Sequence, residues 1–306
     1  MKLRLVVSAL CLFALAASLN AAPPEKLELQ PGEHVAIVGN ALADRMLHDG
    51  TLEAFIHKAL PKHDISIRNL GFASDEITVH MRSDAVPPPE DWLKKMQADV
   101  VLAFWGFNES FKGYEGIEKF KTDLDKYLKD LKAAQFNGKS APRVVLFSPI
   151  AQEKGVDPNW PAPTANNNNL QNYTAAMSEV AKANDVQFVD LFAPSEVLYA
   201  KATTPLTHNG IHLTTQGYRE LAPVIYQSVF GAKPPESDAL LETIRAAVVV
   251  KNETWLARYR TVDQFNIFGG RSTIPYPSNT DGQKYDNRHV LWPELAVRDV
   301  MTENRE

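Results

Sequence analysis

The stretch Val35-Ala36-Ile37-Val38-Gly39-Asn40-Ala41-Leu42 decides the fold. Four apolar residues run into a glycine, and a helical pattern takes over from residue 42 to residue 60. A short unbroken apolar run is the mark of a strand buried on both faces, and its passage straight into a helix is the opening of a strand-helix-strand unit. The alternation recurs downstream. Residues 65–69, 100–104, 144–147 and 186–189 read as four further strands. Ile117, Phe120, Leu124, Tyr127, Leu128 and Leu131 share one helical stripe, with lysines and aspartates opposite. Residues 170–184 and 215–230 read as helices, the second closed by Gly231 at a C-cap position. The pattern predicts a three-layer α/β/α domain over residues 33–231, with a parallel sheet. Gly39, Gly71 and Gly106 each stand where a strand should end, and sites in such sheets lie beyond the carboxyl ends of the strands.

The N-terminus predicts export. Lys2 and Arg4 precede an apolar run over 5–19, and Ala21 and Ala22 offer small residues for cleavage, so residues 1–21 read as a signal peptide. The run is short for a membrane span, which disfavours an uncleaved anchor. The expected destination is the periplasm, the envelope or the medium. Cys11 is the only cysteine, and cleavage after Ala21 removes it, which leaves no disulfide, thiolate nucleophile or c-type haem attachment. Without Lys2 and Arg4, 30 basic face 37 acidic side chains, a net charge of −7 that argues against nucleic acid as a partner. The eight histidines include no His-Glu-x-x-His, and Gly269-Gly270 lacks the lysine of a phosphate loop, so no metal and no cofactor is expected.

Four ordered blocks carry a family resemblance: Gly39-Asn40-Ala41-Leu42, Gly71, Gly106-Phe107-Asn108-Glu109 and Asn209-Gly210-Ile211-His212. Together they resemble the SGNH (GDSL) hydrolases, and residues 68–72 and 104–110 are similar to an exported, planctomycete-type subgroup with a degenerate first block. The resemblance covers about residues 35–231. It implies ester chemistry on acyl groups, often on carbohydrates, with a small-molecule ester or an acylated glycan as partner. Carried over by position, it puts Gly71 and Asn108 at the oxyanion donors, His212 at the base, Asn209 at the triad aspartate, Asn40 at the aspartate before the nucleophile, and Ala41 at the nucleophilic serine. In that subgroup the module can precede a haem domain, but no Cys-x-x-Cys-His is present here and no haem is expected.

Acyl transfer from an ester needs a nucleophile, a base and donors for the developing oxyanion. Ala41 supplies no nucleophile. Asn209 can orient His212 but cannot stabilise its cation as a carboxylate does. Two classes of function follow, a ligand-binding pseudoenzyme, which is favoured, and a noncanonical esterase in which His212 activates water or another group. A structural envelope module is a third. Ser74 and Ser110 lie near the blocks but read as loop caps. Asp75, Glu76 and Glu109 are candidate water-activating carboxylates whose plainer reading is solvated loop charge, and His208 reads as an exposed loop residue.

Residues 157–169, with three prolines and four consecutive asparagines, read as an exposed loop. Residues 238–306 form a C-terminal extension, expected to be helical over 238–250 and irregular beyond. Trp255, Tyr259, Phe265, Phe268, Tyr276 and Trp292 alternate there with Arg258, Arg260, Asn266 and Arg271. Such a set suits sugar stacking, but anchoring of the segment onto the domain is the favoured reading.

Overall fold

A computed structural model of the protein describes residues 26–82, 85–155, 162–262, 264–275 and 284–306. The expected signal peptide over 1–21 lies outside them, as do Tyr276 and residues 157–161 of the expected loop.

The domain is built on β1 (His34–Gly39), β2 (Ser66–Asn69), β3 (Val100–Phe104), β4 (Arg143–Phe147) and β5 (Gln187–Val189), all parallel, in the order β2-β1-β3-β4-β5. Between and after them lie α1 (Ala41–Asp49), α2 (Thr51–Ala59), α3 (Pro89–Lys95), α4 (Ile117–Ala133), α5 (Pro163–Ala183), α6 (Phe192–Lys201) and α7 (Thr215–Phe230). The side-chain period of two divides each strand between two cores. Val35 and Ile37 of β1, with Val100, Leu102 and Phe104 of β3, pack into the core that also takes Ala43 and Met46 of α1, Phe55 of α2 and Leu221 of α7. Ala36, Val38, Val101 and Ala103 face the other core, with Trp92 of α3, Leu124 and Leu128 of α4, and Tyr173 of α5. The three layers follow directly from that division.

The strand order reverses at β1, whose neighbours are β2 and β3, so the loops after these three strands open onto one crevice. Gly39 is compulsory at this point. Its φ is +134°, and a Cβ there would lie 2.1 Å from the Phe104 carbonyl oxygen. The expected single helix over 42–60 is two helices, because Gly50, at φ +74°, caps α1 and starts α2. The four asparagines 166–169 are not loop. They belong to α5, which begins at Pro163 in the first turn, where the missing N–H costs nothing, and Asn166 and Asn167 bond Gln152.

The extension is largely helical: α8 (Ala239–Tyr259), α9 (Gln264–Ile267) and α10 (Asn287–Glu303). The expectation of irregular structure after residue 250 is thus corrected over residues 251–259, 264–267 and 287–303. Asp286 starts α10 by accepting the His289 N–H at 2.9 Å, a capping signal that precedes a weakly periodic stretch. Residues of α8 and of the C-terminal segment cover β2, one of the two edge strands. The Trp255 indole donates to the Asn69 carbonyl at 2.7 Å, and the Tyr259 hydroxyl to that of Leu70 at 2.9 Å. Lys251, fully buried, pairs with Glu53 and donates to the Ile67 carbonyl at 2.7 Å. Glu306 pairs with Arg68 and accepts the Ile67 N–H at 2.8 Å. Backbone groups of an open edge are thereby satisfied. Trp255 and Tyr259 are anchors, as favoured from sequence, while Phe265 and Trp292 stay about half exposed. Among the described residues no helix is long and apolar enough to cross a membrane.

Candidate active site

The four blocks meet at the carboxyl end of the sheet. The Asn40 N–H bonds the Phe104 carbonyl at 3.2 Å, joining the first block to β3. The Phe72 N–H bonds the Gly39 carbonyl at 2.8 Å, joining the second block to the first. The Tyr218 hydroxyl of α7 donates to the Leu42 carbonyl at 3.1 Å and fixes the helix that follows the fourth block against α1. Ile211, next to His212, borders the same small cavity as Asn40 and Ala41. Ala41 is buried, so a methyl group closes the corner assigned to the nucleophile.

His212, at the position expected for the base, is held by the Asn209 side chain. Asn209 Oδ1 accepts the His212 N–H at 3.0 Å and the Ile211 N–H at 3.3 Å, an Asx turn that sets the loop. His212 Nδ1 lies 3.0 Å from Asn209 Nδ2 and 3.1 Å from its Oδ1. Partial burial, then the charges of Arg45 and His208, hold the His212 pKa below its ordinary value. These effects favour the neutral imidazole. Behind this loop, the buried Glu153 carboxylate accepts the N–H groups of Leu206 at 3.0 Å and Thr207 at 2.8 Å, and the Thr207 hydroxyl at 2.6 Å. Glu153 was not singled out from sequence; an acidic residue six positions past an apolar strand gives no local sign of a partner fifty residues away.

The donors at the oxyanion positions are engaged within the protein. Gly71 donates its N–H to Asn69 Oδ1 at 2.7 Å. A Cβ at Gly71 would lie 2.5 Å from the Asp44 backbone nitrogen, so this glycine serves the close approach of the β2 loop to α1. Asn108 Nδ2 donates to the carbonyls of Ala73 at 3.0 Å and Asp75 at 2.9 Å, which accounts for both of its hydrogens. Of the other candidates, Ser110 is buried and donates to the Phe107 carbonyl at 2.7 Å, the capping role expected, and Ser74 and His208 are exposed.

Two carboxylates read as solvated are buried, which corrects that expectation. Asp75 takes both guanidinium nitrogens of Arg82, at 3.1 and 2.8 Å, and His80 at 3.1 Å. Arg82 also lies 4.6 Å over the Phe72 ring, and Arg260 of the extension sits 5.1 Å from the same ring and pairs with Asp44. Glu109 accepts the N–H groups of Ile77 at 3.0 Å and Gly106 at 2.9 Å and so ties the second block to the third. Burial raises its pKa to about 7, against the pull of these N–H donors and with added repulsion from Glu76. Glu76 is partly exposed and pairs with Lys112.

The cavity beside Ala41 measures about 20 Å³, room for one water-sized group. Its walls include Phe104, Phe107, Pro149 and Ile150, and the polar side chains of Asn40 and Ser148. The amide nitrogen of Asn40 is buried with no hydrogen-bond partner.

The GDSL-like lipase/acylhydrolase family model matches residues 39–220. The chain belongs to this family. Its fold is similar to that of the acetylxylan esterase Axe2 from Geobacillus stearothermophilus, at 17% identity and a TM-score of 0.53, over 69% of this chain and 100% of that one. A catalytic mutant of the same esterase matches at 17% identity and a TM-score of 0.51, over 66% and 96% of the two chains. A gut microbial diltiazem-metabolizing enzyme matches at 17% identity and a TM-score of 0.50, over 67% of this chain and 48% of that one. No curated protein sequence matches significantly. At these identities the structural likeness speaks for the fold.

Proposed function

We propose that this member of the GDSL-like acylhydrolase family is an exported binding protein for a small acyl ester or acylated glycan, and that it does not turn that ligand over efficiently. The observation that carries the reading is the state of the catalytic parts. A methyl group stands at the nucleophile position, and the donors of Gly71 and Asn108 are committed to Asn69, Ala73 and Asp75. A hydrolase of this type needs a nucleophile and free donors aimed at the oxyanion. A binding site needs no nucleophile, and the small cavity at the carboxyl end of β1 and β3 sets the Asn40 amide among mostly apolar walls. Similarity to acetylxylan esterases makes an acetylated xylooligosaccharide the first ligand to try. The export reading rests on Lys2, Arg4 and the apolar run that follows them.

Isothermal titration of the mature protein with acetylated and deacetylated xylooligosaccharides tests the proposal. Saturable heat with the acetylated sugar alone supports it; no heat across a panel of acylated glycans and small esters counts against it. A second reading, direct attack by water, is favoured by one observation, the place of His212 next to the cavity-lining Ile211, where partial burial and the charges of Arg45 and His208 favour the proton-accepting form of its ring. Hydrolysis of the same sugars, compared with His212→Ala, separates the two.

A further inference from the structure

We infer that the side-chain amide of Asn40 is the donor that receives the ligand's acyl oxygen, in place of the Gly71 and Asn108 donors that are committed elsewhere. This inference rests on the acyl-binding reading and deepens it by naming the group that is recognised and the residue that recognises it.

Buried amide groups are nearly always paired, and one without a partner calls for an explanation. Asn40 is the residue at the N-cap of α1, yet its side chain makes no capping bond, and its Nδ2 is buried and unpartnered. The residue lines the cavity beside Ala41. Ser148 lines it too, but its hydroxyl is occupied: it accepts the Leu191 N–H at 2.8 Å and donates to the Pro149 carbonyl at 3.1 Å. Much of the remaining wall is apolar, including Leu42, Phe104, Phe107 and Ile211. A lone water wants two to four polar partners, which suits this lining poorly. The space takes one heavy-atom group, so it admits the carbonyl oxygen of an acyl ligand onto the amide while the rest of that ligand stays outside, at the mostly apolar rim. The chemistry also explains the pair Asn40-Ala41. An aspartate at residue 40 would present only acceptors and repel an acyl oxygen, whereas asparagine presents a donor. The alanine leaves that oxygen beside a methyl group in place of a nucleophile.

The probe is ethyl acetate, with ethanol as the control that lacks a carbonyl. Nitrogen-15 spectra of the mature protein are recorded during each titration, and the Asn40 side-chain NH2 pair is assigned by its absence in Asn40→Asp. Aspartate is a good N-cap residue, so this variant should keep the fold, which its melting temperature checks. The expected result is a saturable shift of the Asn40 pair with ethyl acetate and none with ethanol. Affinity should fall about fivefold or more in Asn40→Asp, the factor set by one neutral hydrogen bond of ordinary net strength. An unmoved Asn40 pair, or equal affinity in the variant, overturns the inference. Titration with acetylated xylooligosaccharide keeps the two levels apart. If that sugar binds while the Asn40 pair stays still, the acyl-glycan reading survives and the role of Asn40 falls. If ethyl acetate engages Asn40 but no acylated glycan binds, the donor role stands and the glycan ligand falls.

Discussion

Asn209 meets His212 Nδ1 with both ends of its amide, nitrogen at 3.0 Å and oxygen at 3.1 Å. The imidazole can therefore accept from one atom or donate to the other, and either tautomer is held. A carboxylate would offer acceptors only and force the proton onto Nδ1, leaving Nε2 free as base. Asn209→Asp should therefore raise the His212 pKa from its depressed value, because it adds a negative charge against a ring now disfavoured by burial and by Arg45 and His208. Titration of the His212 ring protons by NMR reads this directly; an unchanged pKa would mean that the Asn209 side chain does not control the ring.

Restoring the nucleophile should do little alone. Ala41→Ser is expected to raise hydrolysis of p-nitrophenyl acetate only slightly, since Asn209 still allows the wrong tautomer. In serine proteases, replacing the triad aspartate by asparagine costs about 10⁴ in kcat. The double variant Ala41→Ser with Asn209→Asp should exceed the single one by about 10² or more and stop short of that full factor, because the donors of Gly71 and Asn108 are engaged. Equal rates for the two variants would contradict the placement of the site.

Glu109 gives the fold a pH signature. Its folded pKa is raised to about 7, so between the ordinary carboxylate range and pH 7 the folded state holds a proton that the unfolded chain has lost. The contribution to stability is complete below about pH 4.5 and disappears as pH rises through 7. A shift of that size corresponds to about 3 kcal/mol. Glu109→Gln should flatten the fall in stability over that window, which urea unfolding at a series of pH values would show. Glu53 acts in the opposite direction. Burial opposes its charge, but Lys251 and His57 bring its pKa down to about 2, so its contribution is lost only as pH falls from about 4.5 toward 2.

The extension should be part of the folding unit. Lys251→Met leaves the Glu53 carboxylate buried without its cation and is expected to cost about 3–5 kcal/mol. Lys251→Met with Glu53→Leu removes both charges and should recover most of that loss. Chemical denaturation of the wild type, Lys251→Met, Glu53→Leu and the double variant provides the double-mutant cycle; losses in the two single variants that simply add in the double would show that the pair is not coupled.

The layers were legible in the sequence because apolar runs such as residues 100–104 and the stripe from Ile117 to Leu131 answer to local periodicity alone. The break at Gly50 was missed because the apolar pattern continues across it, although a glycine inside a helical run was the available sign. The helix over Asn287–Glu303 was missed because its apolar face is narrow and Pro293 lies inside it. That Ala41 and the loop of Asn209 and His212 come to one end of the sheet was foreseeable from the order of the blocks in the chain. The engagement of the Gly71 and Asn108 donors was not, since it depends on where Asn69, Ala73 and Asp75 come to rest. The burial of Asp75 was hidden for the same reason: Arg82 is seven residues away, but Tyr259, which steadies Arg82 at 3.1 Å, lies 177 positions farther along.

The most direct test of the central claim is the release of acetate from p-nitrophenyl acetate and from acetylated xylooligosaccharide by the mature protein, beside His212→Ala. Equal, background-level release from both proteins is the predicted result, with binding of the acetylated ligand retained. Turnover by the wild-type protein that disappears in His212→Ala would contradict the account and make this chain a hydrolase that works without the serine.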